Sequence, residues 1–206
     1  MAETKFKFKK CELLPNEGSS LDEKYELLGG GPIVDYYESI DSPTISMNIT
    51  FIDIDQVISR KGISGGEHID LTIEIDGFDD FKLTKKKHNL MLNSVRNVIT
   101  ETNKQVATLE FVSVESINNE TARVNKKFTG NVSQTVSELL VSYKKGIQTK
   151  KKLDKHDATN SYSYIGNLKR PFDTIQWLCP KSQSSAKNFG FLFYENFDGY
   201  HFKSIE

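Results

Sequence analysis

The chain has 206 residues, enough for one domain or two small ones at roughly 150 residues per domain. Its 37% hydrophobic, 27% charged and 11% aromatic content is too aromatic for a disordered chain and too polar for a helical membrane protein. With 27 Lys plus Arg against 28 Asp plus Glu, the net charge of −1 provides no global attraction to nucleic acid.

No run approaches the roughly 18 consecutive apolar residues of a membrane-spanning helix. The first ten residues lack the apolar core of a secretory signal. Cys11 and Cys179 stand far apart without C-x-x-C spacing and are expected as reduced thiols.

Lys5 to Lys9 alternate basic and apolar residues, the pattern of a half-buried strand that extends to about Leu14 and stops at Pro15. Residues 15–32 are punctuation, ending in Gly29-Gly30-Gly31-Pro32. Within them Ser20-Leu-Asp-Glu23 matches a capping box for a short helix, an extended loop being the alternative. Thr44–Asp53 places Ile45, Met47, Ile49 and Phe51 on one face. Ile69, Leu71, Ile73 and Ile75 alternate with polar residues after a Gly-rich turn at 62–66. Phe78–Leu83, Met91–Thr100 and Val106–Val114 are further strand candidates. Short strands at this spacing predict a small antiparallel barrel over residues 1–117.

The pattern changes after about Ser116. Asn131 can cap a helix whose Val132, Val136, Leu139, Leu140 and Tyr143 share one face, with Gly146 after its end. Residues 144–160 read as an exposed lysine-rich loop, and Tyr162–Ile165 as a short strand. Pro171 opens a second helix that buries Phe172, Ile175 and Leu178 and stops at Pro180. Phe189–Tyr194 and Tyr200–Ile205 flank Asn196-Phe-Asp-Gly199 as an aromatic hairpin, with Phe189, Phe191 and Phe193 on one face. The terminal strand leaves an edge that needs a partner. The fold class is therefore α+β, mostly β: a small N-terminal barrel over 1–117, then an α/β segment over 118–206 with two helices and a C-terminal hairpin.

Chemistry-bearing constellations do not emerge. His68, His88, His156 and His201 form no ligand pair. No nucleophile elbow, phosphate-binding loop or metal spacing occurs, so no cofactor, metal or catalytic residue is expected and the chain does not read as an enzyme. With 28 carboxylates, no spacing selects one pair such as Glu110 and Glu115 for acid–base work. Charge is distributed unevenly instead. Six acids and no Lys or Arg fall between 67 and 80: Glu67, Asp70, Glu74, Asp76, Asp79 and Asp80. Six lysines and one acid fall between 144 and 155: Lys144, Lys145, Lys150, Lys151, Lys152 and Lys155. Lys82, Lys85, Lys86 and Lys87 form a third cluster. These are either solvated surfaces or complementary patches that orient one subunit against another. Aromatics do not interleave with the lysines as a base-stacking groove requires.

Arg170-Pro-Phe-Asp-Thr-Ile-Gln-Trp-Leu-Cys-Pro180 and Asn188-Phe-Gly-Phe-Leu-Phe-Tyr-Glu-Asn-Phe-Asp-Gly-Tyr-His-Phe202 resemble the baseplate hub proteins of contractile-tailed phages, of the T-even-like cyanophage type. Ile33 to Ser46, Asp55 to Gly62 and Asn93 to Val98 fit the same pattern, so the likeness covers most of residues 25–206. The resemblance implies a homotrimeric ring, with a tail tube protein on one side and a central spike protein on the other. It implies a virion location after assembly in the host cytoplasm, no membrane, no sequence-specific nucleic acid and no catalytic residues. Hub proteins continue into a second barrel and the rest of the α/β domain where this sequence stops, which implies an N-terminal portion, a divided chain or a different role. Two readings from other classes stand beside it: a tail-associated cell-wall polysaccharide hydrolase using paired carboxylates, and a single-strand nucleic-acid-binding barrel.

Overall fold

The computed structural model describes residues 6–18, 21–75, 82–85, 89–100 and 104–205. It divides into two compact units, Met1–Tyr37 with Ser46–Val114, and Glu38–Ile45 with Glu115–Glu206.

The first unit is a sheet with the strands β1 (Phe6–Leu14), β2 (Tyr25–Glu26), β3 (Ile33–Tyr37), β4 (Ser46–Asp53), β5 (His68–Ile75), β6 (Lys82–Lys85), β7 (Leu90–Thr100) and β8 (Gln105–Ser113). A short helix α1 (Val57–Lys61) sits between β4 and β5. The strand order is β2-β1-β5-β7-β8-β4-β3, with β6 also on β5, and every pairing is antiparallel. The alternation that marks the strands in sequence sets the register. Met47, Ile49 and Phe51 of β4 lie opposite Phe111, Leu109 and Ala107 of β8, and all six side chains are buried.

One expectation changes here, and one open alternative is decided. Among the described residues the sheet is open rather than a closed barrel, because β2 and β3 end the path without pairing to each other. Residues 21–26, which read as either a short helix or an extended loop, are extended, with β2 at Tyr25–Glu26, and a 3₁₀ turn over Leu28–Gly30 follows before Gly31 at φ 61°. The Phe78–Leu83 strand candidate falls mostly outside the described residues; Lys82–Lys85 is strand.

Polar groups inside this unit are matched to backbone donors. The buried Asp53 carboxylate accepts the Ile58 N–H at 2.8 Å and the Tyr25 hydroxyl at 3.3 Å, holding α1 against β4. The buried Gln105 Nε2 has no hydrogen-bond partner among the described residues. Glu67 is a second exception. It is buried, its Oε2 has no hydrogen-bond partner among the described residues, and burial raises its pKa above the usual carboxylate value.

The second unit contains α2 (Val114–Thr121), β9 (Lys127–Phe128), α3 (Val132–Ser137), β10 (Lys152–Lys155), β11 (Tyr164–Ile165), α4 (Pro171–Leu178), β12 (Phe191–Asn196) and β13 (Gly199–Ser204). Asn131 caps α3, accepting the Ser133 N–H at 2.9 Å, and the helix widens into a π turn over Glu138–Ser142. The sheet order is β10-β13-β12, so β13 is central. The strand expected to present a raw edge is paired on both sides, antiparallel to β12 and parallel to β10. Residues 152–155 are therefore strand rather than the exposed loop expected. The parallel pairing brings β10 so close that a Cβ on Gly199, at φ 138°, would stand 2.4 Å from the Lys152 carbonyl oxygen. α4 begins at Pro171 and buries Phe172, Ile175 and Leu178 as expected. Phe191 and Phe193 join that core, but Phe189 lies before the strand and is exposed.

Two predictions follow from the burial of ionisable groups. A carboxyl whose folded pKa is raised adds stability fully only below its unfolded pKa, and that contribution is lost as pH rises through the folded value. Glu67→Gln should therefore raise resistance to urea near pH 7 and lose this advantage as pH falls towards about 4, the unfolded carboxylate range. Equal stability of the two proteins at neutral pH would contradict the burial cost. Burial also pushes the Cys11 and Cys179 thiols up to about 12. Neither should react with a thiol-disulfide reagent at mildly alkaline pH until the protein is unfolded. Rapid labelling of the native chain would place a thiol at the surface.

Candidate functional site

The two charge clusters are dispersed by the fold. In the first unit Glu67 is buried. Asp70 accepts the Lys10 ammonium at 2.6 Å, and Glu74 pairs with Lys9 at 3.4 Å. Asp76, Asp79 and Asp80 lie outside the described residues. In the second unit Lys144, Lys145, Lys150 and Lys152 are exposed, Lys155 pairs with Asp157, and Lys151 turns inward. The structure brings together Lys144 and Lys145 on one cleft and does not join them to Lys151.

Lys151 is the centre of a buried ionic cluster. Its ammonium lies 2.5 Å from Glu115 Oε2 on α2 and 2.7 Å from Glu195 Oε1 on β12. The side chains of Lys151, Glu115 and Glu195 are 15%, 8% and 1% exposed. The remaining carboxylate oxygens are also used. Thr149 Oγ1 donates to Glu115 Oε1 at 2.6 Å, and the Ile45 N–H donates to Glu195 Oε2 at 3.2 Å. Three separate segments of the unit thus meet on one ammonium, and residues 38–45 are tied to β12. Tyr200 packs beneath, its ring centroid 5.9 Å from the ammonium. Burial first, then the Glu195 and Glu115 charges, hold its hydroxyl well above its ordinary pKa.

Glu115 and Glu195 are a close carboxylate pair that the hydrolase reading could use, and they are ill suited to that. A general acid and base must reach a substrate. Here both carboxylates are enclosed and bound to the same cation, so the arrangement holds structure. Sequence reasoning missed it because Lys151 stands in a run of three lysines. A signal was present: Ile147, Thr149, Lys151 and Leu153 are turned inward, while Gln148, Lys150 and Lys152 between them are exposed, which is strand periodicity beginning before β10.

Aromatics stack around α4. Trp177 meets Tyr164 at 5.3 Å and Tyr162 at 5.6 Å, edge to face, and Phe128 stacks on Tyr164 at 5.2 Å. The Lys181 ammonium sits 4.2 Å from the Trp177 ring centroid and that of Lys169 5.4 Å. Asn119 of α2 accepts the Phe172 N–H at 2.9 Å, satisfying a donor in the first turn of α4. Among the described residues no group of three or more His, Cys, Asp and Glu could hold a metal ion, and no helix is long and apolar enough to cross a membrane.

Strand β3 of the first unit exposes apolar residues. Ile33 and Tyr37 are 63% and 51% exposed, and β3 pairs only with β4 among the described residues. Such an edge leaves main-chain groups open to a further strand.

No protein-family model matches the sequence, and no curated protein matches it significantly. Solved structures do. A tail protein from Neisseria meningitidis matches 96% of this chain with a TM-score of 0.54 at 10% identity, over 51% of its own length. A 43 kDa tail protein of prophage MuSo2 from Shewanella oneidensis gives the same coverage of this chain, TM-score and identity, over 55% of its length. An Escherichia coli component of the type VI secretion system, described as structurally similar to T4 phage tail proteins, matches 97% of the chain with a TM-score of 0.52 at 10% identity, over 48% of its length. The chain thus has the fold shared by these proteins and spans about half their length.

Removing Lys151 should reveal the weight of the ionic cluster. Lys151→Met leaves two enclosed carboxylates without a counter-ion and is expected to cost about 3–5 kcal/mol. The single tryptophan, Trp177, lies in the same unit, so its fluorescence during urea unfolding reads the loss. A change below about 1 kcal/mol, the range of exposed pairs, would show that the cluster is solvated.

Proposed function

We propose that the chain is a structural subunit of a phage-type tail: the baseplate hub subunit or its N-terminal part, joining tail tube to central spike through symmetric contacts among three copies. It acts in the virion baseplate after assembly in the host cytoplasm, by packing and without turnover or cofactor. Residues 1–117 serve as the hub-type β domain and 118–206 as the start of the α/β domain. The observation that carries this reading is the match of nearly the whole chain to tail proteins, at an identity too low to come from anything but a shared fold. The hub resemblance of the segments around Arg170–Pro180 and Asn188–Phe202 supports the finer assignment.

The structure offers two kinds of contact for such packing. β3 can accept a strand from a neighbouring copy, with Ile33 and Tyr37 covered in the process. Lys144, Lys145, Lys150 and Lys152 are the lysines left exposed to meet acids on a neighbour. On the acidic side, Asp70 and Glu74 already have lysine partners within their own unit, and Asp76, Asp79 and Asp80 lie outside the described residues. Exposed charges of this kind set the register and rate of association more than its strength.

Light scattering of the purified chain tests the proposal. The expected mass is that of three chains, and Ile33→Lys with Tyr37→Lys should lower it to one without altering the circular dichroism spectrum. A parent protein that stays a single chain at all concentrations would overturn the trimer. A trimer indifferent to the double substitution would move the contact away from β3.

A further inference from the structure

We propose that a basic cleft in the second unit binds an acidic segment of a protein partner. The cleft holds about 650 Å³. Asn118, Thr121, Arg123 and Asn125, at and beyond the end of α2, line one part of it, and residues 144–148 another. Arg123, Lys144 and Lys145 bring three cations to it, and among the described residues no Asp or Glu lines it.

The cleft is built rather than incidental. Its turn is fixed by Gly146, whose N–H bonds to the Tyr143 carbonyl at 2.8 Å and whose Cβ, if present, would lie 2.3 Å from the Leu139 carbonyl oxygen. The next N–H, of Ile147, bonds to that same Leu139 oxygen at 3.0 Å. The π turn over Glu138–Ser142 therefore ends in a locked bend that carries Lys144 and Lys145. Asn125 accepts the Tyr143 hydroxyl at 2.9 Å through its side-chain oxygen, which leaves its amide N–H groups as donors. Arg123 uses Nη1 on the carbonyls of Glu120 and Ala122, leaving Nε and Nη2 for a carboxylate. Two lining residues, Gln148 at φ 57° and Leu168 at φ 58°, hold left-handed backbone that non-glycine residues adopt at a cost.

The chemistry selects the occupant. Cations flanked by amides and a hydroxyl suit a carboxylate-bearing backbone, which needs both charge partners and hydrogen-bonding groups. Among the described residues no aromatic ring lines the cleft, so a nucleic-acid strand would find its phosphates matched but no platform for its bases. The inference rests on the lysine-patch reading above and not on the trimer. A peptide titration reads the first and light scattering the second, so either can fail alone.

The test is fluorescence anisotropy of a short labelled peptide rich in Glu and Asp, titrated with the full chain at low ionic strength. Binding should saturate, weaken with added salt, and fall at least about tenfold in K144E/K145E, a change large for rim charges but reasonable where several converge. K127E, an exposed lysine of β9 outside the cleft, should change it less than about twofold. Circular dichroism verifies that each variant is folded, and Arg123→Gln supplies a single-site change away from the turn. Equal binding of a Gln and Asn version of the peptide, or no loss in both K144E/K145E and Arg123→Gln, would overturn the proposal. So would displacement of the peptide by an oligonucleotide of equal charge at lower concentration, which would assign the cleft to nucleic acid.

Discussion

One ammonium group organises the second unit. Lys151 joins α2 through Glu115 and β12 through Glu195, and the same carboxylates collect Thr149 and the Ile45 N–H. Two carboxylates and one ammonium in a nearly dry environment are tolerable only if every lone pair is used. That requirement leaves little freedom. Thr149 must precede Lys151 by two, β10 must start beside it, and Gly199 must lack a side chain for β10 to approach β13. A buried ion cluster is weak evidence of net stability; what its geometry provides is a tie between segments that are far apart in sequence.

The aromatic layer supplies the apolar counterpart. Phe172, Phe193 and Tyr200 pack within 6.0 Å of one another by ring centroids, directly under the ionic cluster that Tyr200 touches. Tyr162, Tyr164 and Trp177 extend the layer outward to lysines that cover the indole. A scaffold locked in this way can carry rigid surface features, and the bend at Gly146 with its two exposed lysines is one. Rigidity of this kind suits a protein whose work is to hold partners in fixed geometry, since contacts made by preformed surfaces lose little entropy on association.

Legibility in the sequence followed the chemistry of the buried face. Strands β4, β5 and β8 and helix α4 were evident because their inward residues are apolar and periodic, as with Met47, Ile49 and Phe51 or Phe172, Ile175 and Leu178. Helix α2 was not, because its inward residues are Glu115 and Asn119, which serve Lys151 and the Phe172 N–H instead of an apolar core. The lysine run misled for the same reason: burial of Lys151 depends on two acids 36 and 44 residues away, a pairing that local patterning does not encode. Whether a sheet closes is likewise a matter of which edges meet. Alternation along Ile69–Ile75 shows that a strand exists but not that β2 and β3 stay apart. The exposed β3 edge and the basic cleft could not be found from charge counts, since the acids of the 67–80 stretch that the structure describes are spent within their own unit.

The proposed function is symmetric packing, with a locked second unit and an open strand edge as its tools. Electron microscopy of the purified chain examines that symmetry directly. Class averages should show three copies about one axis. Single-copy particles, or pairs related by a twofold axis, would contradict it.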